Sequence, residues 1–246
     1  MLHEHWAQAY KQTLTPERRA QSQVRPTEGM LDQIFALDDA PLEASRAAER
    51  RAVGVCRHFS VLAVAALRTK NTPARARCGF GTYFKPGRYV DHWVVECWSG
   101  ARWIMADFQI DPVQRATLKL DFDPMDMPPG KFVIAGEAWQ LCRSGKADAA
   151  KFGIFDVAGL WFIAANLVRD LASLNKVEML PWDVWGPMTD DDARLDCDLL
   201  DRLAELTISA DACFEELRAL YDKNASLSVT TRVFNASRRM EEAVWT

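Results

Sequence analysis

The sequence predicts an α+β fold, and three observations carry that prediction. An apolar helical stretch opens at Cys56, three alternating segments follow between residues 74 and 110, and helical patterning resumes from residue 137. Helices gathered on either side of an antiparallel run of strands belong to an α+β chain, because a βαβ repeat would alternate the two.

Each element has a local reason. Residues 1–50 carry apolar positions at helical spacing in LDQIFALDD and again in LEASRAAERRAVG, with Pro41 starting the second piece. Two helices are expected there, with residues 46–51 as a solvated face. In residues 56–68, Phe59, Leu62, Ala63, Ala66 and Leu67 recur at three and four, and Asn71-Thr72-Pro73 stops the run. The result is a buried helix with the cysteine at its N-terminus. Residues 74–84, 89–98 and 103–110 read as strands of a meander, turned at Pro86-Gly87 and Ser99-Gly100. Residues 121–136, rich in Pro, Asp and Met without a period, read as a long ordered loop that could cover a site. Residues 137–175 are helical, residues 189–192 (TDDD) cap a helix running to about Leu206, and Ser209 caps another ending near Asn224. No internal repeat interrupts the chain.

Composition narrows the class. A chain of 246 residues can bury its core as one domain without disulfides. Cys56, Cys78, Cys97, Cys142, Cys197 and Cys213 form no C-x-x-C pair, so neither a disulfide framework nor a zinc site is indicated. A reducing cytoplasm fits them. The polar residues 1–21 lack the apolar core of a signal peptide, and the apolar run 157–168 is too short to span a bilayer. A cytoplasmic protein without membrane attachment is expected. The formal net charge is −4 with both signs interspersed, which argues against nucleic acid as a partner.

The chemistry sits in an ordered trio: Cys56 at a helix start, His92 in the second strand and Asp107 in the third. A thiol nucleophile, its imidazole base and a carboxylate that orients the base have this requirement. A helix N-terminus and a nearby imidazolium both stabilise a thiolate, and the N–H of Cys56 is placed to hold a developing oxyanion. If Ser99-Gly100 closes a two-residue hairpin, His92 faces Asp107 directly; a longer loop leaves the two diagonal but within reach. Taken singly, a cysteine in an apolar helix is more often core filler and a lone histidine more often packed. Asp107 amid Trp103, Ile104, Met105 and Phe108 needs a partner to justify its burial.

The stretches GVCRHFSVLAVAALRTKNTPARARCGFGTYF, YVDHWVVECW and ARWIMADFQID resemble the core of the transglutaminase-like superfamily, papain-related thiol enzymes, over about residues 50–112. The resemblance implies Cys56 as nucleophile, His92 as base and Asp107 as orienting acid, on an α+β core that packs the cysteine helix against an antiparallel sheet. A single domain over 1–246 is expected, with its core at about 50–112 and helical flanks at 1–49 and 137–246, although the length also fits a domain with an appended subdomain. Relatives commonly carry glycine where this chain has Asn71, and asparagine also tolerates a left-handed helix end. The calcium-dependent cross-linkers of the family have acidic metal loops that this chain lacks, so no cofactor and no metal are expected.

Other residues invite weaker readings. Trp161, Arg169, Trp182 and Trp185, with Asn166, Asp170, Asn175 and Asp183, combine aromatic walls with polar groups in residues 159–186, as a substrate pocket would. The alternative is an Arg169–Asp170 cap network with tryptophans in core packing. Arg57 and His58 read as helix surface, Glu96 as a rim carboxylate, and His3 and His5 as an H-x-H near a frayed terminus with no third ligand. Gly79 and Gly81 mark a bulge or a close backbone approach.

The function expected is cysteine-dependent acyl transfer on an amide or related carbonyl of a peptide, protein or small molecule, with hydrolysis as the default outcome. The rivals are a non-catalytic binding module on the same scaffold and a small-molecule biosynthetic acyltransferase.

Overall fold

The structure is a computed structural model and describes residues 1–244. Its centre is a six-stranded sheet built on one hairpin, β3 (Ala74–Gly81) with β4 (Tyr89–Trp98), paired antiparallel from Ala74↔Cys97 to Gly81↔Val90. Both strands are buried along most of their length. Covered on both sides, they favour the apolar and small residues Ala74, Ala76, Cys78, Phe80, Trp93 and Val95.

The outer edge of β3 is closed in two ways. Strand β6 (Phe132–Ile134) pairs with Gly79–Gly81, a strand inside the segment expected to be loop. A Cβ on Gly79 would meet the carbonyl oxygen of Val133 at 2.3 Å, so this approach needs glycine. Beyond β6, helix α6 (Leu160–Leu174) takes over: Asp170 Oδ1 accepts from the Cys78 N–H at 2.8 Å, and Ser173 Oγ donates to the Ala76 carbonyl at 2.7 Å. Side chains thus satisfy a strand edge that would otherwise stay open.

The second edge of β4 is divided. β5 (Trp103–Ala106) pairs with Val95–Trp98, and β7 (Phe152–Ile154), continued antiparallel by β8 (Val157–Ala158), pairs parallel with Tyr89–Val90. The β4–β5 register is Trp98↔Trp103, so residues 99–102 form the turn and a two-residue hairpin does not. Ser99 Oγ accepts from the Arg102 N–H at 3.2 Å and closes this wider loop.

Helix α3 (Cys56–Thr69) packs on the hairpin through Val61 and Val64, against Trp93, Val95 and Cys97. It ends at Asn71, whose φ of 57° is the left-handed position that asparagine tolerates. Helix α6 buries nearly every residue after Phe162 in the largest core, with α5 (Ala135–Arg143) and α7 (Cys197–Ile208). The α+β class holds.

Several boundaries differ from the sequence reading. Residues 1–50 yield β1 (Leu2–His3), α1 (Pro16–Ala20) and α2 (Thr27–Leu37), but LEASRAAERRAVG is loop with one 3-10 turn up to its last two residues, which form a strand. Its apolar positions are mostly alanines with little area to bury, and Arg46 instead folds the loop by donating to the carbonyls of Asp38, Ala40, Pro41 and Ala44. The terminus is tied down, since β1 pairs parallel with β2 (Val53–Gly54). A short helix α4 (Pro112–Leu118) is capped by Asp111. Residues 189–192 lead into a 3-10 turn that begins at Asp192 while Asp196 caps α7, and Ser209 ends α7 while α8 (Phe214–Lys223) starts after Cys213. The hairpin β10 (Arg232–Asn235) and β11 (Met240–Ala243) pairs with β9 (Asp183–Val184).

One buried ion cluster joins these layers. Arg77 on β3 donates to Asp170 through Nε at 3.0 Å and NH2 at 2.8 Å, to Glu96 on β4 at 2.8 Å, and to the Thr207 carbonyl on α7 at 2.9 Å. The partner of Asp170 is therefore Arg77 and not Arg169. Leaving a buried charge unpaired costs about 3–5 kcal/mol, whereas an exposed pair is worth about 0.5 kcal/mol. Asp170→Ala is expected to destabilise by about 3–5 kcal/mol in urea unfolding. Asp222→Ala, which frees the half-exposed Arg218, should cost about 0.5 kcal/mol or less; equal losses would show that the cluster has no special weight.

Candidate active site

Cys56 is the first residue of α3, after Val55 in extended conformation. The helix start is fixed by His58, whose Nδ1 accepts from the Val55 N–H at 3.2 Å while Nε2 lies 3.1 Å from the Val24 carbonyl. Those partners define the neutral tautomer with the proton on Nε2. Burial, then the Arg57 charge, push His58 down to about 3. His58 is thus a buried structural residue, contrary to a surface placement. Arg57 is buried too, with one terminal nitrogen on the Glu178 carbonyl.

His92 and Asp107 meet at 2.8 Å, Nε2 to Oδ2. The register leaves them diagonal, and a departure from the sheet brings them together. The ladder ends at Val95↔Ala106, and the Asp107 N–H turns away to the Pro124 carbonyl at 2.7 Å. The Pro124 carbonyl therefore fixes the backbone at Asp107. Asp107 is satisfied on both oxygens: Oδ1 accepts from the Gln109 N–H at 3.0 Å, and Oδ2 also accepts from Tyr83 Oη at 2.6 Å. Burial, then the Asp107 charge, hold the Tyr83 phenol well above its ordinary 10, so it remains a donor. Local sequence does not reveal Tyr83, because it lies in the β3–β4 loop and reaches Asp107 only across the sheet.

Exposure is 7 % for Cys56, 2 % for His92 and 1 % for Asp107, so the trio is nearly closed off from bulk water. Phe84 packs edge-on to the His92 ring at 4.7 Å, with Tyr83 at 6.1 Å and Phe132 at 6.4 Å. Burial alone would lower the imidazole, but the charge and hydrogen bond of Asp107, then the hydrogen bond and charge of Cys56, raise it from 6.5 to about 10. With Nε2 held by Asp107, Nδ1 is the ring nitrogen left for the thiol.

Other sequence-derived candidates lie elsewhere. Trp161 donates its backbone N–H to Asp192, and Trp182 Nε1 donates to Gln23 at 2.9 Å. Trp185 Nε1 donates to the Leu227 carbonyl at 3.0 Å inside the main core, and Arg169 donates to Asn166 and to the Asp183 carbonyl. Trp182, Trp185 and Arg169 are committed to different partners and Trp161 is held through its backbone, while Asp170 and Ser173 bind β3. Asn166 also donates to Asp91 at 2.7 Å, the residue before His92. Glu96 is bound to Arg75 and Arg77 and is no rim group. His3 is buried against Phe59, and burial, then His5, His92 and His58, push it well below 6.5.

Residues 12–108 match the family model described as transglutaminase-like superfamily, a span that contains Cys56, His92 and Asp107. This segment is similar to the transglutaminase-like superfamily. The match covers less than half of the chain and starts well upstream of the cysteine helix, so α1 and α2 fall inside it. No curated protein and no solved structure matches the chain. Members of this superfamily are in general cysteine-dependent acyl-transfer or protease-like proteins, and the matched segment here brings a cysteine, a histidine and an aspartate into one buried cluster.

The raised His92 value has a stability consequence with a definite sign. A group held at about 10 in the fold and near 6.5 when unfolded stabilises fully below pH ~6.5, and the contribution is lost as pH rises through the folded value. The His92 ring is expected to titrate near 10 by NMR, and Asp107→Asn should bring its midpoint down by about two units or more. An unchanged midpoint in Asp107→Asn would remove the carboxylate as its cause.

Proposed function

We propose that this protein is a cysteine acyl-transfer enzyme in which Cys56 is the nucleophile, His92 the acid–base and Asp107 the residue that orients the imidazole. The observation that carries this reading is the buried 2.8 Å bond between His92 Nε2 and Asp107 Oδ2 at the start of the cysteine helix. The Cys56 sulfur attacks the carbonyl carbon of an amide, and the oxyanion forms beside the N–H groups of the first helical turn. The His92 imidazolium then gives its proton to the leaving amine as the C–N bond breaks, leaving a thioester. Water attacks the thioester, His92 takes its proton, and the acid and the free thiol are released. Amine transfer would replace water by a second amine. Hydrolysis is the default because water needs no acceptor site. Tyr83 shares Oδ2 with the imidazole, and the Gln109 N–H holds the other oxygen, Oδ1. The near-complete burial of the trio favours a small acyl compound over a folded protein chain.

Peptide mass mapping of alkylation against pH, in the parent and in His92→Ala, tests the proposal. Cys56 is expected to react at lower pH than the other five cysteines and to lose that advantage without His92. Against a panel of fluorogenic amides, Cys56→Ala should lower turnover by about 10⁴-fold. A Cys56 that alkylates like its neighbours would move the non-catalytic binding module ahead. Product analysis with added amine separates transfer from hydrolysis.

A further inference from the structure

We propose that a polar cavity beside the trio is a subsite for a carboxylate-bearing part of the substrate, anchored by Arg51. This deepens the acyl-transfer reading and rests on it for the word substrate. The cavity is about 370 Å³, room for roughly a dozen waters at about 30 Å³ each. That suits one amino-acid side chain or a short diacid.

Its walls come from segments that also place the trio. Phe59 lies one turn along α3 from Cys56, His3 pairs with Gly54 just before it, and Phe108 and Gln109 directly follow Asp107. Gln109 lines the cavity and donates its N–H to the Asp107 carboxylate. The cavity therefore adjoins the segments that carry Cys56 and Asp107.

The charge in the cavity is unbalanced. Arg46 and Arg51 both line it, and Asp111 is its one carboxylate. Asp111 is already engaged: Oδ1 caps α4 through Val113 and Gln114, and Oδ2 accepts from Tyr10 Oη at 2.6 Å. Arg46 is held by backbone carbonyls. Arg51 is fixed from behind, with Nε donating to the Arg46 carbonyl at 2.8 Å and Cζ stacked 5.6 Å from the Tyr10 ring centre. Its terminal nitrogens have no hydrogen-bond acceptor among the described residues, and NH1 comes no closer than 3.9 Å to Asp111. A guanidinium with its stem pinned and its planar fork free is pre-organised for a bidentate carboxylate. Burial and the Asp111 bond hold the Tyr10 phenol at about 12, so it adds no negative charge at neutral pH. The amides of Gln109 and Gln114 complete a wall of neutral hydrogen-bonding groups.

The test is isothermal titration of the Cys56→Ala chain with glutarate, with the uncharged glutaramide and with inorganic phosphate. Glutarate is expected to bind, with glutaramide weaker by about ten-fold or more, as loss of a charge-assisted pair implies. Arg51→Met in the same background should weaken glutarate by a similar factor, and Arg51→Lys, which keeps the charge but loses the fork, should fall between. Equal binding of glutarate and glutaramide, no glutarate binding, or phosphate binding tighter than glutarate would each overturn the proposal; these comparisons need no variant at Arg51. Turnover is not involved, so the two readings fail separately. Glutarate binding with an inert Cys56 retains the subsite and removes the enzyme, whereas an activated Cys56 without glutarate binding removes only the subsite.

Discussion

A single buried guanidinium holds this molecule in register. Arg77 sits in the middle of β3 and is paired at once with α6 through Asp170, with β4 through Glu96 and with α7 through the Thr207 carbonyl. Burial opposes its charge, and Asp170 and Glu96 more than restore it, holding the group above its ordinary range. An unpaired charge there is too costly to tolerate, so the four elements can come together only in the arrangement that satisfies it. Asp170 reinforces the constraint by also capping the Cys78 N–H on the open edge of β3. One carboxylate thus closes a strand edge and neutralises a cation.

The cysteine–histidine–aspartate cluster follows from how β4 is shared. β5 occupies one end of its edge and β7 the other, which leaves the stretch around His92 without a strand partner on that side. Asp107 fills the gap after leaving the ladder, and its carboxylate collects His92, Tyr83 and the Gln109 N–H. The charge and hydrogen bond of that carboxylate raise the imidazole far above its usual range. Electrostatics and sheet topology are here the same fact seen at two scales. The aromatic rings of Phe84, Tyr83 and Phe132 around His92 keep water from weakening that field.

Misreadings of local sequence fall where local and global demands part. LEASRAAERRAVG has helical spacing but little apolar area, and the four carbonyl contacts of Arg46 hold the loop instead. The tryptophans of residues 159–186 look like pocket walls because aromatic and polar residues alternate there. Their N–H groups instead find Leu227 and Gln23, more than forty residues distant in each case. Arg57 and His58 follow the cysteine on what reads locally as a free helix face, yet the Glu178 and Val24 carbonyls reach them from other segments. Tyr83 and Arg51 carry no local mark at all.

What the sequence by itself determined is the set of elements whose causes are local: the helix opened at Cys56 and closed at Asn71, the meander of three strands, the order of cysteine, histidine and aspartate, and the apolar character of α6. Spacing, turn residues and burial preference act over a few residues and can be read from them. Tertiary structure alone decided the four-residue turn that sets His92 diagonal to Asp107, the departure of Asp107 toward Pro124, the second donor from Tyr83, and the fork of Arg51, which meets no hydrogen-bond acceptor among the described residues. Apart from the turn, which Ser99 and Arg102 close locally, each depends on atoms separated in the chain. A hydrogen bond made across that distance is chosen by which buried group would otherwise go unsatisfied, and that is known only when the chain has closed around it.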